Sequence, residues 1–132
     1  MKPKQYIQGW VEFYKLKFKV TPDTLIPRPE TELLVDAVLN SIEDKDTLVL
    51  DIGTGAGNIA ISIAKNAQDV QIIATDISSG ALKVARQNAK LHGVLDQITF
   101  IESNLLSGLN SELITPNSEL IIVTNLPYIP SA

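Results

Sequence analysis

The chain of 132 residues has no cysteine and a single histidine, His92. Without thiols there is no disulfide framework, no thiolate zinc site and no cysteine nucleophile. One imidazole excludes a multi-histidine metal centre and leaves a Ser-His triad dependent on that residue alone. Its place just before Gly93 marks it instead as a helix-end residue facing the macrodipole. No stretch approaches the roughly 18 apolar residues of a membrane span, and the opening Met-Lys-Pro-Lys-Gln-Tyr lacks the apolar core of a signal peptide. These absences predict a soluble, cytoplasmic chain that uses neither a metal nor a membrane.

What is present fits one folded domain: 45% hydrophobic and 20% charged residues exclude disorder, and the length supports one modest core. The net charge of −4 excludes a generally basic nucleic-acid binder. The charge is unevenly spread, with residues 1–32 at +2 and residues 33–132 at −6. Any polyanion contact would therefore favour the N-terminal stretch.

Leu16, Phe18 and Val20 alternate with Lys15, Lys17 and Lys19, the period of a half-buried strand, and a hairpin turn falls near Tyr14-Lys15. The lysines read as a solvated face that protects a sheet edge. In Ile26-Pro27-Arg28-Pro29-Glu30-Thr31-Glu32, two prolines stop any strand ladder and Pro29 opens a helix. Glu30 and Glu32 suit its first turn, and Leu33, Leu34, Ala37 and Val38 supply its apolar face. Beyond Asp46 the pattern is βαβα: strand 47–52, helix 57–67, strand 70–75, helix 79–92 with Leu82, Ala85, Ala89 and Leu91 and closed by Gly93, then strands 98–101 and 119–123. Continuous apolar strands separated by helices predict an α/β domain with a parallel sheet covered on both faces, preceded by a short β-hairpin.

Asp51-Ile52-Gly53-Thr54-Gly55-Ala56-Gly57 sits where the first parallel strand turns into its helix, the nucleotide-binding position of a doubly wound sheet. The dinucleotide fingerprint needs a third glycine at position 58, which is Asn58, whereas G-x-G-x-G is satisfied at 53, 55 and 57; the P-loop motif is absent. Asp76, closing the second strand, can accept hydrogen bonds from both hydroxyls of a ribose. Loop and acid together imply an adenosine-bearing cofactor. Asn125-Leu126-Pro127-Tyr128 follows the last strand directly. Asparagine can donate to and accept from a planar amide or amino group, the next carbonyl can accept a second N–H, and tyrosine can cover the face of that group.

Gly53 to Gly57 with Asp76 resembles the S-adenosylmethionine site of class I methyltransferases, and Asn125 to Tyr128 resembles the N-P-P-Y signature of enzymes that methylate planar nitrogen. Gln5-Tyr6-Ile7-Gln8-Gly9, Glu12-Phe13-Tyr14 and above all the 26–32 string are similar to the segment preceding the core in the HemK/PrmC family, the peptide chain release factor glutamine methyltransferases. The resemblance spans residues 5–129. It implies a Rossmann-like fold and methyl transfer from S-adenosylmethionine, leaving S-adenosylhomocysteine, to the glutamine amide nitrogen in the Gly-Gly-Gln motif of class 1 release factors. Carried over by position, Asp51, Gly53, Thr54, Gly55, Ala56 and Gly57 form the cofactor loop, which meets the methionine part, and Asp76 meets the ribose. Asn104 and Leu105 border the adenine. Asn125, also beside the cofactor, holds the glutamine amide with the Leu126 carbonyl, Pro127 stiffens the loop and Tyr128 walls the pocket. No strong base is needed, because placement and carbonyl dipoles suffice for an activated methyl donor.

The chain departs from the family pattern at Leu126, where proline is usual, and at Asn104, where aspartate is usual. N-L-P-Y is also similar to the pattern of ribosomal-RNA adenine dimethyltransferases, so adenine methylation is the alternative reaction. The family also has a helical domain ahead of residue 1 and three further strands after the N-P-P-Y loop. The expectation is thus a hairpin and proline-rich lead-in over 1–29 and a partial cofactor-binding domain over 30–132, with a release factor as partner, no direct nucleic-acid binding, and self-association through the exposed sheet edge. A cofactor-binding fragment with little activity is the remaining reading.

Overall fold

The computed structural model describes residues 9–43, 46–103 and 119–124. Strands β1 (Trp10–Phe13) and β2 (Leu16–Lys19) form an antiparallel hairpin in which Trp10 faces Lys19 and Phe13 faces Leu16. Tyr14 and Lys15, the two turn residues, have φ of 53° and 63°, as the favoured two-residue hairpin turn requires. A 3-10 turn over Pro29–Thr31 leads into α1 (Glu32–Ser41). Then come β3 (Leu48–Ile52), α2 (Asn58–Asn66), β4 (Gln71–Asp76), α3 (Ser79–Leu91), β5 (Ile98–Glu102) and β6 (Leu120–Thr124). The last four strands form one sheet, all pairs parallel, in the order β5-β4-β3-β6.

That order fixes where a ligand can sit. From β3 the chain steps outward through β4 to β5, then returns to the far side of β3 as β6. Right-handed crossovers put α2 and α3 on one face during the outward steps. The reversal opens a crevice at the carboxyl ends of β3 and β6. Register places Ile52 level with Thr75 and Thr124, and Asp76 level with Glu102, so four strand ends reach one edge.

Val49, Ile72, Ala74, Ile98 and Val123 share one core with Val35 and Val38 of α1, Ile59 and Ile63 of α2, and Ala89 of α3. Phe13 and Phe18 join it from the hairpin, packed edge to face with ring centroids 6.2 Å apart. On the opposite face Leu48, Leu50, Ile52 and Ile73 form a second cluster with Ile101, to which no described helix contributes. Leu120 and Ile122 extend that face along β6 and are exposed.

The helices differ from the sequence expectation in which faces they bury. Leu33 is 70% exposed and Ala37 is exposed, whereas Val35 and Val38 are buried. The cause is the hairpin turn: Glu32 accepts the Tyr14 N–H at 2.7 Å and Asp36 accepts the Tyr14 hydroxyl proton, so positions 32 and 36, one turn apart, face the hairpin and bring 35 and 38 inward. In α2 every residue from Asn58 to Ala64 is buried, a helix flanked by α1 and α3 rather than one with a single apolar stripe. Leu91, expected inside, is 55% exposed at the end of α3. There Gly93, with φ of 72°, donates to the Lys90 carbonyl and Val94 donates to the Ala89 carbonyl, which closes the helix at the expected glycine.

Candidate functional site

The turn from β3 to α2 is built by three left-handed glycines, Gly53, Gly55 and Gly57, with φ of 74°, 57° and 83°. Two of them need glycine for different reasons. A Cβ on Gly57 would lie 3.0 Å from Ile61 Cδ1 and 3.2 Å from Ala85 Cβ, so its absence lets the loop press against α2 and α3. A Cβ on Gly55 would meet nothing within 4 Å, so the space above it is open. A ligand can therefore approach the Gly55 backbone directly.

The loop amides are turned inward. Gly53 and Thr54 both donate to the Thr75 carbonyl (2.9 and 2.8 Å), Gly57 donates to the Thr54 carbonyl, and Gly55 donates to Asp76 Oδ2 at 2.9 Å. The other Asp76 oxygen accepts the Ser78 N–H at 3.0 Å. A phosphate cradle requires free amides converging on an anion. Here four of them are already bonded, one to a carboxylate, so none of the four is free to hold an anion.

Beneath the loop, Asp51 is 1% exposed. Its Oδ2 accepts the Thr54 hydroxyl proton at 2.8 Å, and its carboxylate also accepts the Ala60 N–H in the first turn of α2. It serves the helix N-terminus as a capping carboxylate from outside the helix. Burial pushes its pKa up to about 6; the bonds from Thr54 and Ala60 oppose that rise, and the charge of Asp76 adds to it. With Asp76 partly open beside the loop, the arrangement favours a ligand that carries hydroxyls over one that carries phosphate.

The structure thus brings Asp51, Gly53, Thr54, Gly55, Ala56, Gly57 and Asp76 to one edge of the sheet. Thr54 and Ala56 are buried, and Asp51 faces protein, while Gly53, Gly55 and Asp76 remain partly open. Asn104, Leu105, Asn125, Leu126, Pro127 and Tyr128 lie outside the described residues; the strand feeding the last four ends at Thr124, level with Ile52. Two participants escape a sequence reading. The Thr75 carbonyl holds two loop amides, a main-chain role without a side-chain signature. Asn88, 1% exposed in α3, donates to the Ala56 carbonyl at 2.8 Å. Its only sequence signal is a polar residue beside Ala89 on the buried side of an otherwise apolar helix face.

The sequence model described as "Methyltransferase small domain" matches residues 29–128. Among curated proteins, the chain is 46% identical over 127 residues to a release factor glutamine methyltransferase of Lactococcus lactis, covering 96% of this chain and 44% of the relative. A protein of the same name from Chlorobaculum tepidum is 40% identical over 137 residues, covering 99% and 46%. The chain therefore spans somewhat under half the length of these relatives. Among solved structures, an RNA methyltransferase from Salinibacter ruber in complex with S-adenosyl-L-homocysteine is similar, with 30% identity and a TM-score of 0.54 over 63% of this chain and 53% of that one. So is precorrin-6y C5,15-methyltransferase from Geobacter metallireducens, at 25% identity and a TM-score of 0.58 over 70% and 47%. With residues 29–128 matched, the chain belongs to the methyltransferase small domain family.

Proposed function

We propose that this chain carries the S-adenosylmethionine site of a release factor glutamine methyltransferase, acting in the cytoplasm on the side-chain amide nitrogen of the glutamine in the Gly-Gly-Gln motif. The observation that carries the cofactor reading is the satisfied glycine loop: inward-bonded amides, the partly open Asp76 carboxylate beside them and open space above Gly55. S-adenosylmethionine has no phosphate, its ammonium and sulfonium outweigh its one carboxylate, and its ribose diol can meet Asp76, so the residues present fit it. When bound, it supplies a methyl group already activated on sulfur. Asp76 keeps a second lone pair on each carboxylate oxygen for the ribose hydroxyls while it holds Gly55 and Ser78. Gly53 and Gly55 offer Cβ-free backbone to the methionine part, and Asp51 and Thr54 brace the loop from below.

The substrate reading rests on the named relatives and on residues 26–32 and 125–128. Asn125 and the Leu126 carbonyl would orient the glutamine amide, and Tyr128 would cover it. Placement is then the main contribution of the chain to the rate. The test is incubation with labelled S-adenosylmethionine, a class 1 release factor and ribosomal RNA. Label should enter the release factor and vanish when its motif glutamine is replaced; label entering only RNA overturns the reading.

A further inference from the structure

The hairpin and the glycine loop are distant in sequence, yet one side chain bonds both. Asn88 Oδ1 accepts the Lys19 N–H at 2.8 Å, and its Nδ2 donates to the Lys19 carbonyl at 3.0 Å and to the Ala56 carbonyl at 2.8 Å. The partners leave the amide one orientation, because an N–H can only donate and the two carbonyls can only accept. Both amide protons are used and the residue is 1% exposed.

The strand pairing explains why Lys19 is available. Val20 donates to the Gly9 carbonyl, so the next residue back, Lys19, turns its N–H and carbonyl away from β1. On that outer edge α3 takes the place of a third strand. Asn88 pairs with Lys19, and His92, one helical turn on, donates from Nε2 to the Lys17 carbonyl at 2.6 Å. Residues four apart on a helix, about 6 Å, match residues two apart on a strand, about 6.7 Å. His92 grips the hairpin alone; Asn88 also grips the loop. Val20 packs on Ala56 and Val84 in the same place.

We propose that Asn88 is a positioning residue for the cofactor loop and couples it to the hairpin, so that a ligand seated on Gly53–Gly57 tightens the Lys19 edge and the hairpin in turn holds the loop ready. This rests on the cofactor reading above and deepens it. Coupling between two sites is reciprocal, so the wild-type chain suffices for the first test. Amide hydrogen exchange is followed with and without S-adenosylhomocysteine. The ligand should slow exchange at the Lys19 amide about ten-fold and leave Leu16 and Phe18, which pair inside the hairpin, nearly unchanged. Binding without an effect at Lys19, or equal slowing along the whole hairpin, overturns the proposal.

Asn88→Asp keeps the acceptor for Lys19 but loses both donors. It should abolish the ligand effect at Lys19 and weaken S-adenosylhomocysteine binding about ten-fold or more, as the Ala56 carbonyl loses its partner. Ile63→Val, a buried change in α2 outside this network, should leave affinity unchanged. Weakening by Ile63→Val equal to that of Asn88→Asp would reduce Asn88 to general stability and overturn its positioning role. If the wild type binds no S-adenosylhomocysteine, the cofactor reading fails by itself. Exchange at Gly55–Gly57 then decides the clamp: acceleration in Asn88→Asp supports it and no change overturns it.

Discussion

The glycine loop and the hairpin turn face the same backbone demand and meet it with opposite residues. Gly53, Gly55 and Gly57 hold φ between 57° and 83°, while Tyr14 and Lys15 hold φ of 53° and 63° with full side chains. A left-handed residue with a Cβ costs about 1–2 kcal/mol. At Tyr14 that cost is offset by its contacts: Glu32 accepts the Tyr14 N–H and Asp36 accepts the Tyr14 hydroxyl proton, a bond that raises the hydroxyl pKa above 10.0. At the loop no side chain would be so rewarded. A left-handed φ by itself therefore does not explain glycine; the neighbours do at Gly57, by being too close, whereas at Gly55 the space is open.

The sharpest break of this comparison is Gly57→Ala. Left-handed strain of about 1 kcal/mol adds to crowding against Ile61 and Ala85 of about 2 kcal/mol, roughly 3 kcal/mol together. That is a large share of the stability of a small domain. Urea unfolding should show the midpoint collapse; a loss under about 1 kcal/mol would mean that α2 and α3 yield freely there.

Asp51 gives the next largest effect, and it depends on pH. Its folded pKa of about 6 exceeds the ordinary aspartate value of 3.8 that the unfolded chain takes, so between those values the folded state binds the extra proton. Stability from this group therefore falls as pH rises from about 4 to 6, and the full deficit, about 3 kcal/mol, is present at neutral pH. Thermal unfolding from pH 4 to 7 should show this downward component in the wild type. Asp51→Asn should remove it; an unchanged pH profile in the variant would show that Asp51 is not its source.

The strand-helix alternation, the hairpin turn at Tyr14-Lys15, the glycine closure of α3 and the clustering of Asp76 with the glycine loop were all legible, because each has a local signature in period, turn chemistry or position after a strand. Leu33 and Leu91 were misassigned to the interior for a nonlocal reason. The roll of α1 is set by Tyr14 binding Glu32 and Asp36, 18 and 22 residues on. Leu91 is the last residue of α3 and is 55% exposed. Asn88 was hidden likewise, since its partners Lys19 and Ala56 are 69 and 32 residues away. Asp51 was legible as part of the loop, but its inward direction was not. A strand residue's face follows from alternation, yet which face α2 covers follows from the crossover.

Two smaller predictions separate ligand space from backbone strain. Gly55→Ala adds a Cβ that touches no protein atom, so stability should fall by only about 1 kcal/mol. The same methyl enters the proposed cofactor space, and calorimetry should show S-adenosylhomocysteine binding weakened about ten-fold or more. Unchanged affinity would place the ligand away from Gly55 and break the contrast with Gly57.

Lys15→Gly approaches the comparison from the hairpin side and should have the smallest effect. It relieves left-handed strain of about 1–2 kcal/mol at a position where two-residue hairpin turns favour glycine, and it gives back about 0.5–1 kcal/mol in unfolded-state entropy. The net gain is about 0.5 kcal/mol, with Tyr14 keeping its bonds to Glu32 and Asp36. Affinity for S-adenosylhomocysteine should stay at the wild-type value, because Lys15 is exposed and lies at the far end of the hairpin from Lys19. A stability loss instead would show that Lys15 contributes more than its strain costs. The two turns would then differ in degree rather than in kind, both having side chains chosen by what surrounds them.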